Sequence, residues 1–69
     1  MKTFVIETRR GFVSTPIRLG GYSFPLSFHA QISSATQFPF RAAAERSMKK
    51  YHLTDAPYHG HIEEYEVKD

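Results

Sequence analysis

Between Tyr22 and Ile32 the sequence reads YSFPLSFHAQI, and every second side chain is apolar: Tyr22, Phe24, Leu26, Phe28, Ala30 and Ile32. Strict alternation at period two is the pattern of a strand with one face against a core and the other toward water. Eleven residues at about 3.3 Å each would run roughly 36 Å, which is long for a chain of 69 residues. Such a strand needs a roof over its apolar side, so the rest of the chain has to supply one. Pro25 falls on the polar side with Ser23, Ser27, His29 and Gln31. Because proline donates no hydrogen bond, it should mark a bulge or a stretch whose amide side is unpaired. Part of the strand is therefore expected at a sheet edge.

The roof is legible downstream. Phe40, Ala44, Met48 and Tyr51 recur at steps of four, four and three, one face of a helix, while Arg41, Ala42, Glu45, Arg46, Lys49 and Lys50 point elsewhere. Thr36 or a neighbour is placed to cap this helix, and Pro39 suits a first turn. Glu45 and Lys49 form a favourable i,i+4 pair worth ~0.3 kcal/mol, and Lys49, Lys50 and His52 meet the negative end of the dipole. Thr54, Asp55 and Pro57 should stop it.

Three other segments read as extended. In KTFVIET, Phe4 and Ile6 share one face and Thr3, Val5 and Glu7 the other, a strand pattern. FVSTPIRL favours extended backbone but holds Pro16, which makes it a short edge strand or an extended loop. Gly20-Gly21 supplies the positive backbone angles of a tight turn. HGHIEEYEV alternates with one failure, since Ile62 lies on one face and Tyr65 and Val67 on the other; a bulge near Glu63-Glu64 would reconcile them.

The order predicts one α+β domain over residues 1–69, a three- to four-stranded, mainly antiparallel sheet with one α-helix packed on one face, β-β-α-β or β-β-β-α-β. Its expected core is Phe4, Ile6, Phe24, Leu26, Phe28, Ile32, Phe40, Ala44, Met48 and Tyr51. A helix of about 13 residues is ~20 Å long, shorter than the strand, so Tyr22 or Ile32 should overhang as a contact surface.

A chain this short buries only about 60% of its unfolded surface, and with no cysteine it has no disulfide to compensate. The amino terminus is too early interrupted for a signal-peptide core, and no window approaches the roughly 18 apolar residues of a membrane span. A soluble, cytoplasmic protein is the expectation, with no membrane partner. Charge is uneven: residues 1–53 hold eight Lys/Arg against Glu7 and Glu45, giving +6, and residues 54–69 hold Lys68 against Asp55, Glu63, Glu64, Glu66 and Asp69, giving −4. That polarity suits docking on an acidic partner or head-to-tail contact with a second copy.

Few residues suggest chemistry. His59 and His61 lie two apart with Glu63 two further on, a weak zinc or nickel set that lacks a paired second half. Exposed histidines at the start of a strand are the blander alternative. His29, Tyr51 and the arginines predict no meeting of base and substrate, and no glycine-rich phosphate loop is present. Neither an enzyme nor a cofactor is expected. The stronger signal is cationic: Arg9 and Arg10 at a hairpin tip, with Arg41, Arg46, Lys49 and Lys50 on the outer side of the helix, residues able to meet an acidic protein surface or phosphates. Phe12, Phe38 and Tyr58 are either contact aromatics or seals for the ends of the core, and an open sheet edge could accept a second copy.

MKTFVIET, a long alternating strand, then FPFRAAAERSMKKYHL and an acidic last strand resemble in layout the tiny accessory proteins of phages and mobile elements, some of them inhibitors of host defence, including anti-CRISPR proteins. The resemblance transfers no individual residue. It implies a stoichiometric inhibitor or modulator that docks on a host protein or nucleoprotein complex, with a small nucleic-acid-binding protein and a histidine metal-binding protein as alternatives.

Overall fold

The β-branched and aromatic run TFVI places β1 at Lys2–Thr8, and the turn at Arg9 and Arg10 returns the chain through β2, Gly11–Ser14. In the computed structural model, which describes residues 1–67, four further strands follow in chain order: β3 Ile17–Leu19, β4 Tyr22–Phe24, β5 Ser27–His29 and β6 His61–Glu66. One α-helix, α1, spans Arg41–Lys50. The main sheet has the order β5-β2-β1-β6 with every neighbour antiparallel, and β3 and β4 form a separate two-stranded pair. The expected α+β class, with its antiparallel sheet and single helix, is what the chain adopts.

The long strand expected over 22–32 is instead three pieces, β4, β5 and a 3-10 turn at Ile32–Ser34. The reason is a facing pair of prolines. Ser14 pairs with Ser27, and three residues further along each strand Ile17 pairs with Phe24. Both pairings share one register, which sets Pro16 opposite Pro25, and neither can donate to a ladder. The result is a single long hairpin pinched at its middle and closed by Gly20 and Gly21, whose φ values are +54° and +83°. Beyond the pinch the hairpin leaves the sheet as an arm.

The core also differs from expectation. Ile6, Val13, Ala44, Met48 and Leu53 form its buried centre, with Phe4, Leu26, Phe28, Phe38, Tyr51, Tyr58 and Ile62 packed around it. Phe24 stands on the arm, half-exposed, Ile32 is only partly buried, and Phe40 is 69% exposed. Phe40 does so because α1 starts one residue later than its periodicity suggests: Phe40 is the extended N-cap, and it makes no side-chain cap. Thr36 does not cap either, since its hydroxyl accepts the Thr15 N–H at 2.8 Å. β2 is interior, not an edge, because pairing ends at Ser14 before Pro16 is reached. β6 pairs with β1 without a bulge from Lys2↔Glu66 to Glu7↔His61. Tyr65 therefore shares the sheet face of Thr3, Val5 and Glu7, away from the helix.

α1 stops earlier than Thr54. His52 turns left-handed at φ +55°; its N–H donates to the Lys49 carbonyl and the Leu53 N–H donates to the Met48 carbonyl at 2.9 Å. This is a Schellman ending with histidine where glycine is usual, and its companion apolar contact, Met48 with Leu53, carries the chain back into the core.

Candidate functional site

Three surface features stand out, and each is built by register. The first is the arm. In an antiparallel pair, opposed residues and residues two apart share a face, so Ile17, Phe24, Leu19 and Tyr22 lie together while Arg18 and Ser23 lie on the reverse. Their exposures are 48%, 50%, 61% and 73%. Of Tyr22 and Ile32, the two residues expected to overhang the roof, Tyr22 stands exposed and Ile32 is partly buried; Ile17, Leu19 and Phe24 join Tyr22 because the prolines carry both strands off the main sheet.

The second feature is cationic. Thr8 holds the β1–β2 turn by donating its hydroxyl to the Gly11 carbonyl at 2.9 Å and accepting the Arg10 N–H at 3.1 Å. The Arg9 N–H donates to the Tyr58 carbonyl, and the Gly60 N–H to the Leu53 carbonyl. These bonds tie the turn to the loop leaving the helix, so Arg9 and Arg10 share one end of the molecule with Lys49 and Lys50. Arg41 starts the helix, with its guanidinium 5.2 Å from the Phe4 ring centroid, and Arg46 is exposed in the last half of α1. Arg46 is one turn before Lys49 and Lys50 on the exposed side of α1, so of the six cations Arg41, at the helix start, stands apart. Arg10 lies 5.1 Å over Phe28, itself stacked on Tyr58 at 5.4 Å, and Lys50 lies 5.4 Å over Tyr51. In both, the charged group itself lies over the face of the ring.

The carboxylates of β1 and β6 behave oppositely, whereas Glu45 and Asp55 make no ion pair among the described residues. Glu64 pairs with Lys2 at 3.7 Å, Glu66 with the amino terminus at 3.2 Å, and Glu7 and Glu63 with His61. Among the described residues none of the six cations lies within ion-pair distance of a carboxylate, and the expected Glu45–Lys49 pair is open.

The third feature is where Glu7, His61 and Glu63 converge. β1 and β6 set Glu7 opposite His61, and Glu63 follows two residues on along the same face. His61 Nε2 lies 3.1 Å from Glu7 Oε1 and 2.9 Å from Glu63 Oε1, and one donor atom from each residue lies within 4.8 Å of the others. The hydrogen bond to Glu63, then desolvation and the Glu63 charge, hold Glu7 above the usual carboxylate range. Glu63 is held below it, first by His61 and then by Glu7, so Glu7 is the member that keeps a proton longer. The 2.9 Å and 3.1 Å separations are those of hydrogen bonds from the imidazole to the two carboxylates, and the same closeness would let the three donors converge on one ion. A divalent cation is the ligand such a set could hold. His59, paired with His61 in the sequence reading, takes no part: it sits in the preceding turn at φ +49°. Glu7 takes its place, a partner found only through strand register.

Comparison with protein-family models, curated proteins and solved structures finds no match. No helix among the described residues is long and apolar enough to cross a membrane.

Proposed function

We propose that this chain is a small non-enzymatic binding protein that docks its cationic end on an acidic surface of a larger protein or nucleoprotein complex. The observation that carries the reading is the segregation of charge: the carboxylates of β1 and β6 are engaged by neighbours, while among the described residues Arg9 and Arg10 at the β1–β2 turn and Lys49 and Lys50 at the end of α1 make no ion pair. Unpaired cations laid on aromatic rings keep a fixed direction while their charge remains available to a partner. A phage-borne inhibitor of host defence is the biological role that fits the layout of the sequence, and direct binding to nucleic acid is the nearest alternative.

Elution from an immobilised polyanion such as heparin tests the surface. Wild type should elute at markedly higher salt than the Arg9→Glu/Arg10→Glu and Lys49→Glu/Lys50→Glu variants, with circular dichroism unchanged. Elution of all three together would remove this surface from consideration. Anisotropy with labelled duplex and single-stranded DNA then separates the alternative: a nucleic-acid binder should lose affinity steeply between 50 and 200 mM salt, whereas a protein-directed binder should show no saturable binding at either.

A second reading rests on Glu7, His61 and Glu63, a set able to retain a divalent transition metal. Untagged protein dialysed against Ni²⁺ or Zn²⁺ should keep about one ion per chain, His61→Ala should lose at least tenfold in affinity, and His59→Ala should match wild type. Because metal binding displaces protons, retention should fall as the pH is lowered. Equal retention by His61→Ala would end this reading.

A further inference from the structure

We propose that the β3–β4 arm is the contact through which two copies of this chain pair about a two-fold axis, apolar face against apolar face. Every residue of both strands is exposed, and a lone two-stranded ribbon is at best marginally stable in water without a second layer. The facing prolines, Pro16 and Pro25, interrupt the ladder to the main sheet, so the body of the domain gives the arm little support. A second layer is what its composition asks for.

The area meets the need of a dimer. With exposures of 48% for Ile17, 61% for Leu19, 73% for Tyr22 and 50% for Phe24, the four side chains offer on the order of 450 Å² per copy, taking about 150–250 Å² for each whole side chain. Fully covered, two copies reach roughly 900 Å², and the flanking backbone brings the contact to about 1,000 Å², the lower bound for a specific interface and the size of a weak, concentration-dependent dimer.

The face is also self-complementary. Its two rungs, Ile17 with Phe24 and Leu19 with Tyr22, can stack antiparallel on a second arm so that the tip rung of each copy covers the base rung of the other, the isologous arrangement of a two-fold dimer. Charge does not oppose this. Between Gly11 and Phe40 the one formally charged side chain is Arg18, and it lies on the reverse of the arm with Ser23. A partner chosen by charge would find nothing to read on this face, whereas a second copy matches it rung for rung. Pairing through the arms leaves the cationic end of each copy free, and the inference does not depend on what that end binds.

Sedimentation equilibrium from about 5 to 500 μM tests the proposal. Wild type should pass from the 8.0 kDa monomer to twice that mass within this range. Leu19→Glu and Tyr22→Glu place a charge on the apolar face twice per dimer, and each should weaken association at least a hundredfold; both positions are exposed, so circular dichroism should be unchanged. Arg18→Glu, on the reverse, should dimerise within threefold of wild type. A wild type that stays monomeric at 500 μM, or a Leu19→Glu chain that dimerises as well as wild type, overturns the proposal; the former would leave the arm to a different partner.

Discussion

Ile6→Ala is expected to remove about 3–4 kcal/mol of folding free energy and lower the midpoint of thermal unfolding by about 15–25 °C. Ile6 is fully buried at the meeting point of β1, β2 and α1, packed with Val13, Ala44, Met48 and Leu53. Deleting its outer carbons removes apolar burial and leaves a void that a sheet and a helix cannot both close around. A chain of this length has a total stability of roughly 3–10 kcal/mol, so a third or more of it goes with this one side chain. Ile17→Ala makes the same chemical change on the arm, where Ile17 is 48% exposed, and should change stability by less than about 1 kcal/mol when measured at concentrations low enough to keep the chain monomeric. Urea unfolding followed by circular dichroism gives both numbers. Equal losses at the two positions would show that the arm, not the β1–α1 contact, is the centre of the core.

The contrast between Ile6 and Ile17 also shows how far period-two alternation can be read. Tyr22, Phe24, Leu26 and Phe28 alternate without a fault, yet only Leu26 and Phe28 pack against the core and Tyr22 and Phe24 stand in water. Alternation reports which side chains share a face; it does not report whether anything covers that face. The deciding fact is that Pro16 faces Pro25 in a gap between the two ladders, which is visible only once the register of the hairpin is known. A helix of 10 residues, about 15 Å long, then roofs the inner rungs alone. Val13 is hard to place from sequence for a related reason, because Pro16 marks its segment as an edge although the ladder ends two residues before the proline. Leu53 is not legible as core in the sequence, because what returns it there is a left-handed histidine where glycine would be the usual signal. Local chemistry was more legible: the cationic β1–β2 turn, the glycine pair and the helical stripe of Ala44 and Met48 all stand where their residue types place them. His61 and Glu63 were visible by spacing, while Glu7, more than fifty residues away in sequence, could be found only by pairing β1 with β6.

The cationic turn depends on one backbone position, which gives the second large expected effect. Gly11→Ala should cost about 2–4 kcal/mol, because two penalties fall on the same residue. Gly11 has a φ of +127°, and a Cβ there would lie 2.6 Å from the His29 carbonyl oxygen, a backbone atom of β5 that cannot swing aside as a long side chain could. Holding a residue with a side chain at that angle costs about 1–3 kcal/mol, and relieving the overlap requires β2 and β5 to separate. Gly20→Ala is the control: its φ is +54° with nothing within 4 Å of the added carbon, so only the left-handed conformation is penalised, by about 1–2 kcal/mol. Separation of β2 from β5 would also withdraw Phe28 from beneath Arg10, so amide exchange in Ser27–His29 should accelerate in Gly11→Ala and remain protected in Gly20→Ala. If Gly11→Ala proves as stable as Gly20→Ala with β5 still protected, the close approach of the two strands is wrong, and with it the position of the arginines that the turn presents.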